Sequence, residues 1–285
     1  MKKWAIPAKT FFLGEYAAIA GAPAIILTTS PCFEVALSST PGLHGIHPDS
    51  PAGKWWANNG NIEVGLQWND PYQGRGGMGA SSAQFLGAYW ASMHLQKKTA
   101  EQHHMLDAYL QSAWSGEGLP PSGYDVIAQS RHGCVYIDKQ KEIFENFPWP
   151  FQDIAFLLLH TGQKLATHHH LKSMTLPSNL DQLITTVKKA KAAIEQINSQ
   201  QMIDAVNAYH HQLRDMNLVA DHTTQYIESF KRQPDILAIK GCGAMGSDVL
   251  LLLIPKKRQL ELSKNLSKKG WNILASSTDL YFGQN

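Results

Sequence analysis

Cysteine is scarce: Cys32, Cys134 and Cys242 lie far apart with no Cys-x-x-Cys spacing, so the chain lacks the material for a disulfide framework or a cysteine zinc site. Reduced thiols and a cytoplasmic location are the expectation. Charge is modest too. Asp, Glu, Lys and Arg make up 17% of the residues and the net charge is +2, too little to argue for nucleic acid or a membrane surface as a partner. No apolar run approaches the roughly 18 residues of a membrane span. Pro7, Lys9 and Glu15 interrupt the N-terminal apolar stretch, so no signal peptide is expected there. Internal repeats and low-complexity tracts are absent, as are a Walker A loop and a GxGxxG fingerprint.

What remains is an ordinary globular composition, 44% hydrophobic over 285 residues, long enough for one large or two medium domains. The segment 74–85, GRGGMGASSAQF, carries the most information. Glycines and small residues stand between a strand-like stretch, Ile62 to Trp68, and a helix-like stretch from Ser82 to about Lys97. Such a cluster lets several backbone N–H groups point into one concavity, and the helix N-terminus adds partial positive charge. Phosphate binding follows, with the Ser81 and Ser82 hydroxyls available to phosphate or Mg2+. The alternative is a glycine-rich turn with a serine N-cap.

Residues 1–40 read as strands, 41–61 as a long loop, and 100–114 as a second helix after the one bearing Phe85, Leu86, Tyr89, Trp90 and Met93 on one face. GCVYID reads as a strand. The composition shifts at FPWPF (147–151), which places a boundary between a domain 1–150 and a domain 151–285. The second half begins with the strand IAFLLLH. Two amphipathic helices follow, lined by Leu183, Val187, Ala190, Ile194 and Ile197 and by Met202, Val206, Tyr209, Leu213 and Met216. Strands 236–240 and 249–255, a lysine-rich helix and the strand WNILASS complete a split βαβ, ferredoxin-like order.

Four further segments bear on the chemistry. Lys9, in PAKTFFLGEY, is placed to bridge nucleotide phosphates and stabilise a transferring phosphoryl group, unless it is a surface lysine on an edge strand. Asp125, in SGYDVIAQSR, is placed to activate or orient a substrate hydroxyl, unless it is an N-cap. In TGQKLATHHHL, Thr167 looks like an N-cap and Lys164 is free to reach an anion. The triplet His168, His169 and His170 reads as solvated surface before a metal site, because no Cys or carboxylate sits at ligand spacing beside it. KGCGAMGSDV is a glycine hairpin, either a tight turn or a set of amides that close over a ligand.

With PAK…GEY, GGMGASSA, SGYD and KGCGAMGSD in this order, the chain resembles the GHMP kinases (galacto-, homoserine, mevalonate and phosphomevalonate kinases) over nearly its whole length. The resemblance implies a two-domain α/β (α+β) fold, with an N-terminal ribosomal-S5-like domain that binds ATP, a C-terminal ferredoxin-like domain, and the active site between them. It implies ATP and Mg2+ as cofactors, with Gly76, Gly77, Met78, Gly79, Ala80, Ser81, Ser82 and Ala83 around the triphosphate and Ser81 or Ser82 near the metal. Lys9 and Asp125 fall on the family's catalytic lysine and aspartate. Glu15, Tyr16, Ser122, Gly123, Lys164, Thr167, Gly243 and Ala244 fall among its substrate positions.

Within the family, GEYA, SGYDV and TGQKLAT are most similar to the phosphomevalonate kinases. Mevalonate kinases carry a metal-binding glutamate where this chain has Trp114, with Glu117 the nearest acid. The resemblance therefore implies transfer of the ATP γ-phosphoryl group to a small phosphorylated substrate, 5-phosphomevalonate, with a mevalonate kinase or a mevalonate diphosphate decarboxylase as the alternatives. Candidate cations for an anionic acceptor are Lys164, Arg75, Lys172, Arg131 and the histidine triplet; candidate adenine-stacking residues are Trp55, Trp56 and Trp68. A monomer or homodimer is expected.

Overall fold

The computed structural model describes residues 2–163, 176–177, 179–230 and 233–283. Its first sheet is assembled on one long strand, β2 (Ala24–Ser38), whose first six residues are all buried. β1 (Lys3–Leu13) runs antiparallel along one edge of β2, from Lys3 opposite Ala36 to Leu13 opposite Ile25. The other edge is shared. β4 (Gly65–Asn69) takes the C-terminal part of β2, and β5 (Cys134–Asp138) takes the N-terminal part. β3 (Gly42–His44) lies parallel outside β4, and β6 (Ile143–Phe147) antiparallel outside β5.

Four helices belong to this half: α1 (Pro51–Asn59), α2 (Ala80–Leu95), α3 (Gln102–Ala113) and α4 (Tyr124–Gln129). α2 crosses β1 and β2 and is covered in turn by the other three helices. It is therefore buried almost all round, not only on the face of Phe85, Leu86, Tyr89 and Met93; Ala83, Ala88, Ala91 and Ser92 are inside as well.

α1 and β3 correct the reading of 41–61 as a loop. Ser50 caps α1, its Oγ accepting from Gly53 N at 3.1 Å, and Pro51 occupies the first turn, where its missing N–H costs nothing. The Gly, Asn and Trp content of the segment masked this start signal. The strand read from Ile62 begins only at Gly65, and Ile62 is 92% exposed.

The second sheet holds β7 (Ile154–His160), β8 (Ala238–Cys242), β9 (Val249–Pro255) and β10 (Asn272–Ser276) in the order β10-β7-β9-β8, every pair antiparallel. With α5 (Asp181–Glu195) and α6 (Ser199–Asp215) between β7 and β8, and α8 (Gln259–Lys268) between β9 and β10, this is the split βαβ order expected. α7 (Asp221–Phe230) and β6 are additions that sequence reading missed. Leu183, Val187, Ala190, Ile194, Met202, Val206, Tyr209 and Leu213 are buried as expected, whereas Ile197 lies beyond α5 and is 60% exposed. No helix among the described residues is long and apolar enough to cross a membrane.

The chain passes between sheets at 147–151, and those residues help fill a shared core. Trp149 packs edge-on against Phe12 at 5.9 Å, Phe151 at 5.0 Å and Phe156 at 5.1 Å. One cluster of buried side chains continues from Ile6 and Phe12 through Phe156 to Val187, Val206 and Leu251. β7 and β9 are buried on both faces, because α7 and α8 cover the side facing away from this core, which explains their unbroken apolar runs.

Gly87 marks the tightest helix–sheet approach: a Cβ there would lie 2.3 Å from Val35 Cγ2. Alanine would favour the helix by about 1 kcal/mol, but overpacking against a fully buried valine costs about 1–3 kcal/mol. Gly87→Ala is therefore expected to lower stability in urea denaturation, and adding Val35→Ala is expected to relieve the clash. A stabilised Gly87→Ala protein would show that α2 can lift off the sheet.

Candidate active site

Between Ile6 and Ala18 every residue is buried except Lys9. Its Nζ lies 2.8 Å from Asp125 Oδ1, with the two side chains 11% and 32% exposed, and 5.0 Å from the centre of the Phe11 ring. This is no surface lysine. Asp125 owes its place to Ser122, Gly123 and Tyr124. Gly123 adopts φ 75°, and a side chain there would meet Leu106 Cδ1 at 2.2 Å. Tyr124 is fully buried, and its hydroxyl donates to Ala22 O at 2.9 Å while accepting from Lys139 N at 3.1 Å. Gly123, not Asp125, is the N-cap of α4, which leaves the carboxylate free to face Lys9. Ser122 Oγ accepts from Tyr124 N at 3.3 Å, so Ser122 and Gly123 shape the turn that presents Asp125.

The glycine loop lies beside this pair. Gly77 and Gly79 have φ of 85° and 80°, and α2 starts directly after Gly79. A Cβ on Gly79 would stand 2.7 Å from Lys9 Cγ; one on Gly77 would stand 2.5 Å from Val249 Cγ2 and 2.8 Å from Asp248 Cβ. The loop is thus threaded between the lysine and the second-sheet hairpin, where only hydrogen fits. The first N–H groups of α2 have no acceptor within the helix, and the exposed Ser81 stands among them. These groups fit a polyphosphate carried with Mg2+.

Three expected contacts in the loop need correction. Ser82 is 2% exposed, and its Oγ lies 2.6 Å from Gln129 Oε1 and 3.0 Å from Gly79 O, so it braces the loop from behind instead of facing a phosphate or metal. Met78 and Ala83 are fully buried. Met78 instead accepts from Lys9 N through its carbonyl at 3.0 Å and from Thr10 Oγ1 through its sulfur at 3.5 Å.

Glu15 and Tyr16, expected to face the substrate, join the two sheets instead. Lys240, wholly inaccessible on β8, donates to Glu15 Oε1 and, at 3.3 Å, to Cys242 Sγ. Burial is the largest influence on Glu15 and pushes its carboxyl up, while Lys240 and, more weakly, Lys9 pull it back. Burial works against the charge of Lys240, but Cys242 and Glu15 together outweigh it and raise the ammonium above its ordinary value. Tyr16, 2% exposed, accepts from Met245 N at 3.0 Å, and burial pushes its phenol up to about 12.

The hairpin turn at Gly243 and Ala244 is tied down in the same way. Gly246 N donates to Gly243 O at 2.9 Å and Ser247 N to Ala244 O at 3.1 Å, so with Tyr16 holding Met245 the amides of 245–247 are engaged within the protein. Closure of those three amides over a ligand is not what this turn offers.

Of the candidate cations, Arg75 lies near enough to bear on the charge of His160. Burial first, and then Arg75, hold that imidazole below its ordinary value against the pull of Asp248. Arg131 is occupied elsewhere, donating to Gln102 Oε1 at 2.9 Å with its guanidinium 5.3 Å from the centre of the Phe144 ring. Lys164, Thr167, His168, His169, His170 and Lys172 lie outside the described residues.

Trp55 and Trp56 are core residues of α1, Trp55 donating to Ser92 Oγ at 2.9 Å, and Trp68 stacks on Phe33 at 5.1 Å, so none stands ready for adenine. Among the described residues no group of three or more His, Cys, Asp or Glu is placed to hold a metal, so for Mg2+ the loop itself offers the Ser81 hydroxyl.

No protein-family model matches the sequence, nor does any curated protein. Solved structures do match in fold. Phosphomevalonate kinase of Streptococcus pneumoniae, in complex with phosphomevalonate and AMPPNP, superposes with a TM-score of 0.77 at 16% identity, over 97% of this chain and 99% of that one. Mevalonate kinase of Methanococcus jannaschii gives 0.74 at 15% identity, over 99% and 98%. Mevalonate pyrophosphate decarboxylase of Streptococcus pyogenes gives 0.68 at 14% identity, over 100% and 98%. The chain has the GHMP kinase fold.

The buried pair gives a direct test of how the halves are held. Lys240→Met leaves the Glu15 carboxylate without a counter-charge and is expected to cost about 3–5 kcal/mol in chemical denaturation. The double variant Lys240→Met/Glu15→Gln removes both charges and is expected to regain most of that loss. A double variant no more stable than Lys240→Met would mean that the pair does not act as a unit.

Proposed function

We propose that this chain is an ATP-dependent GHMP-family kinase that transfers the γ-phosphoryl group to 5-phosphomevalonate in the mevalonate (isoprenoid) pathway. The observation that carries the kinase reading is the 2.8 Å pairing of Lys9 with Asp125 beside Gly79, at the point where the glycine loop enters its helix. Phosphoryl transfer asks a protein for positioning and for charge to meet growing negative charge, with little covalent chemistry. The loop amides and Ser81 would receive the donor phosphates. Lys9 would meet charge on the transferred group, and Asp125 would hold Lys9 and orient the acceptor. Mg2+ bound with the nucleotide would neutralise charge on the β- and γ-phosphates.

A phosphomonoester acceptor suits this arrangement. Its second pKa is about 6, so its oxygens are ionised near neutral pH and need no strong base. Asp125, committed to Lys9, is then sufficient. The GEYA, SGYDV and TGQKLAT segments favour the phosphomevalonate branch, and the fold match to an enzyme crystallised with phosphomevalonate is in keeping with it. Against a mevalonate kinase stands Trp114, whose Nε1 donates to Glu117 O at 3.1 Å where that branch carries a metal-binding glutamate. Lys9 itself speaks against a decarboxylase.

Lys9→Ala and Asp125→Ala are each expected to lower kcat by two or more orders of magnitude while preserving the fold, since removing one electrostatic stabiliser at such a site costs about 3 kcal/mol or more. Near wild-type kcat would remove that residue from the mechanism. With MgATP, 5-phosphomevalonate is expected to exceed mevalonate in kcat/KM by ~100-fold or more, because the alcohol leaves charge-assisted hydrogen bonds worth about 1.5–3 kcal/mol each unmade. ADP release accompanied by CO2 would point to the decarboxylase, and preference for mevalonate to the sister kinase.

A further inference from the structure

Gln129 ends α4 and is 1% exposed. A carboxamide has two donor hydrogens and an acceptor oxygen. Here both kinds are used on motifs that lie far apart in sequence. The nitrogen donates to Pro7 O at 2.8 Å and to Gly79 O at 3.1 Å, and the oxygen lies 2.6 Å from Ser82 Oγ as its acceptor. Pro7 stands at the register shift in the β1–β2 ladder, just ahead of Lys9. Gly79 is the left-handed residue from which α2 starts. One turn earlier on α4, Asp125 takes the Lys9 ammonium. Between these two anchors the aliphatic part of Lys9 passes over Gly79, where a Cβ would lie 2.7 Å from Lys9 Cγ and 3.0 Å from Gln129 Nε2.

We infer, on the kinase reading above, that Gln129 is a positioning residue for phosphoryl transfer: its carboxamide fixes the separation between Lys9 and the amides of the glycine loop. Asp125 steers only the tip of the lysine and is itself one-third exposed. The backbone beneath Lys9 is tied to the loop by Lys9 N to Met78 O at 3.0 Å and by the Gln129 bridge from Pro7 to Gly79. Without the bridge, the two carbonyls and the Ser82 hydroxyl lose their common partner, and the bond from Lys9 N to Met78 O is left to hold β1 and the loop in register. In a preorganised site a misplacement of about 1 Å costs on the order of 100-fold in rate.

The test uses the full chain with Gln129→Met, which keeps the side-chain length and removes all three bonds. Lys9 is followed by trace acetylation with acetic anhydride and peptide mass spectrometry, with the 66%-exposed Lys3 as internal reference. The ratio of Lys9 to Lys3 labelling is expected to rise ~5-fold or more as the lysine loosens, with kcat falling ~10-fold or more, KM for ATP rising ~5-fold and KM for the acceptor staying within ~2-fold, the pattern of a displaced donor site. A residue that only supports the fold would lower the melting temperature and the folded fraction without moving the labelling ratio or KM for ATP. Unchanged labelling, kcat and KM for ATP per folded enzyme would overturn the assignment. If the wild-type chain phosphorylates no acceptor, the kinase reading falls, while the labelling ratio still decides whether Gln129 positions Lys9. Should Gln129→Met not fold, Ser82→Ala removes one anchor of the same bridge. Changes of ~2–3-fold in the same directions are then expected, and none would overturn the role.

Discussion

Two unlike charges, Glu15 at the end of the first strand and Lys240 in the second sheet, are buried together in the joint between the halves. Removing them from water is expensive, and their attraction repays that expense only when the geometry is met. Such a pair adds little net stability but strongly penalises misdocking. It also sits close to the candidate site: Glu15 senses the charge of Lys9, and Lys240 leads into the turn 243–246 through Cys242. The lysine that would meet a phosphoryl group and the turn 243–246 of the second sheet are therefore referred to one buried point. Tyr16, holding Met245 N next door, gives that point a second, uncharged attachment.

Around this joint the first half uses very few elements to compose a site. β1 supplies Lys9, α2 begins at the glycine loop, and the single short helix α4 supplies both the carboxylate that holds the lysine and the amide that spans strand and loop. α4 is too short to be stable by itself. Its rigidity comes from Tyr124, Val126, Ile127 and Ala128, all fully buried, and from the left-handed turn at Gly123. The side chains proposed to act in the site are thus carried on an element whose other residues belong to the core.

How much of this was legible in the sequence varied with the range of the interaction. The glycine loop could be read because a run of small residues before a helix has a local physical meaning. Lys9 and Asp125 could be suspected as charged residues in otherwise apolar, glycine-marked segments, and the split βαβ order followed from the periodicity and apolar runs of the second half. Glu15 was misassigned because its partner is 225 residues away, and an isolated glutamate after a strand carries no sign of a buried counter-ion. The hint was Lys240, a lysine within the apolar strand segment ILAIK. Ser81 and Ser82 are adjacent yet point to opposite environments, and only the packing around α2 separates them. The tryptophans of α1 looked like exposed stacking surfaces because the helix that carries them was hidden under Asn and Gly. Gln129 gave no local signal at all, since an amide in a helix matters only through what it faces.

The missing side chain at Gly77 has a mechanical reading. Its backbone rests against Val249 and Asp248 with no room for even a methyl group, and both neighbours are buried. A soft contact absorbs motion, whereas one already at van der Waals distance transmits it. The loop that would grip a nucleotide in one half and the hairpin of the other therefore mesh like the teeth of two gears. A shift of the loop toward the second sheet has to move that hairpin, and with it the turn anchored by Tyr16. In the history of the chain, residues 77 and 249 are expected to have changed together or not at all.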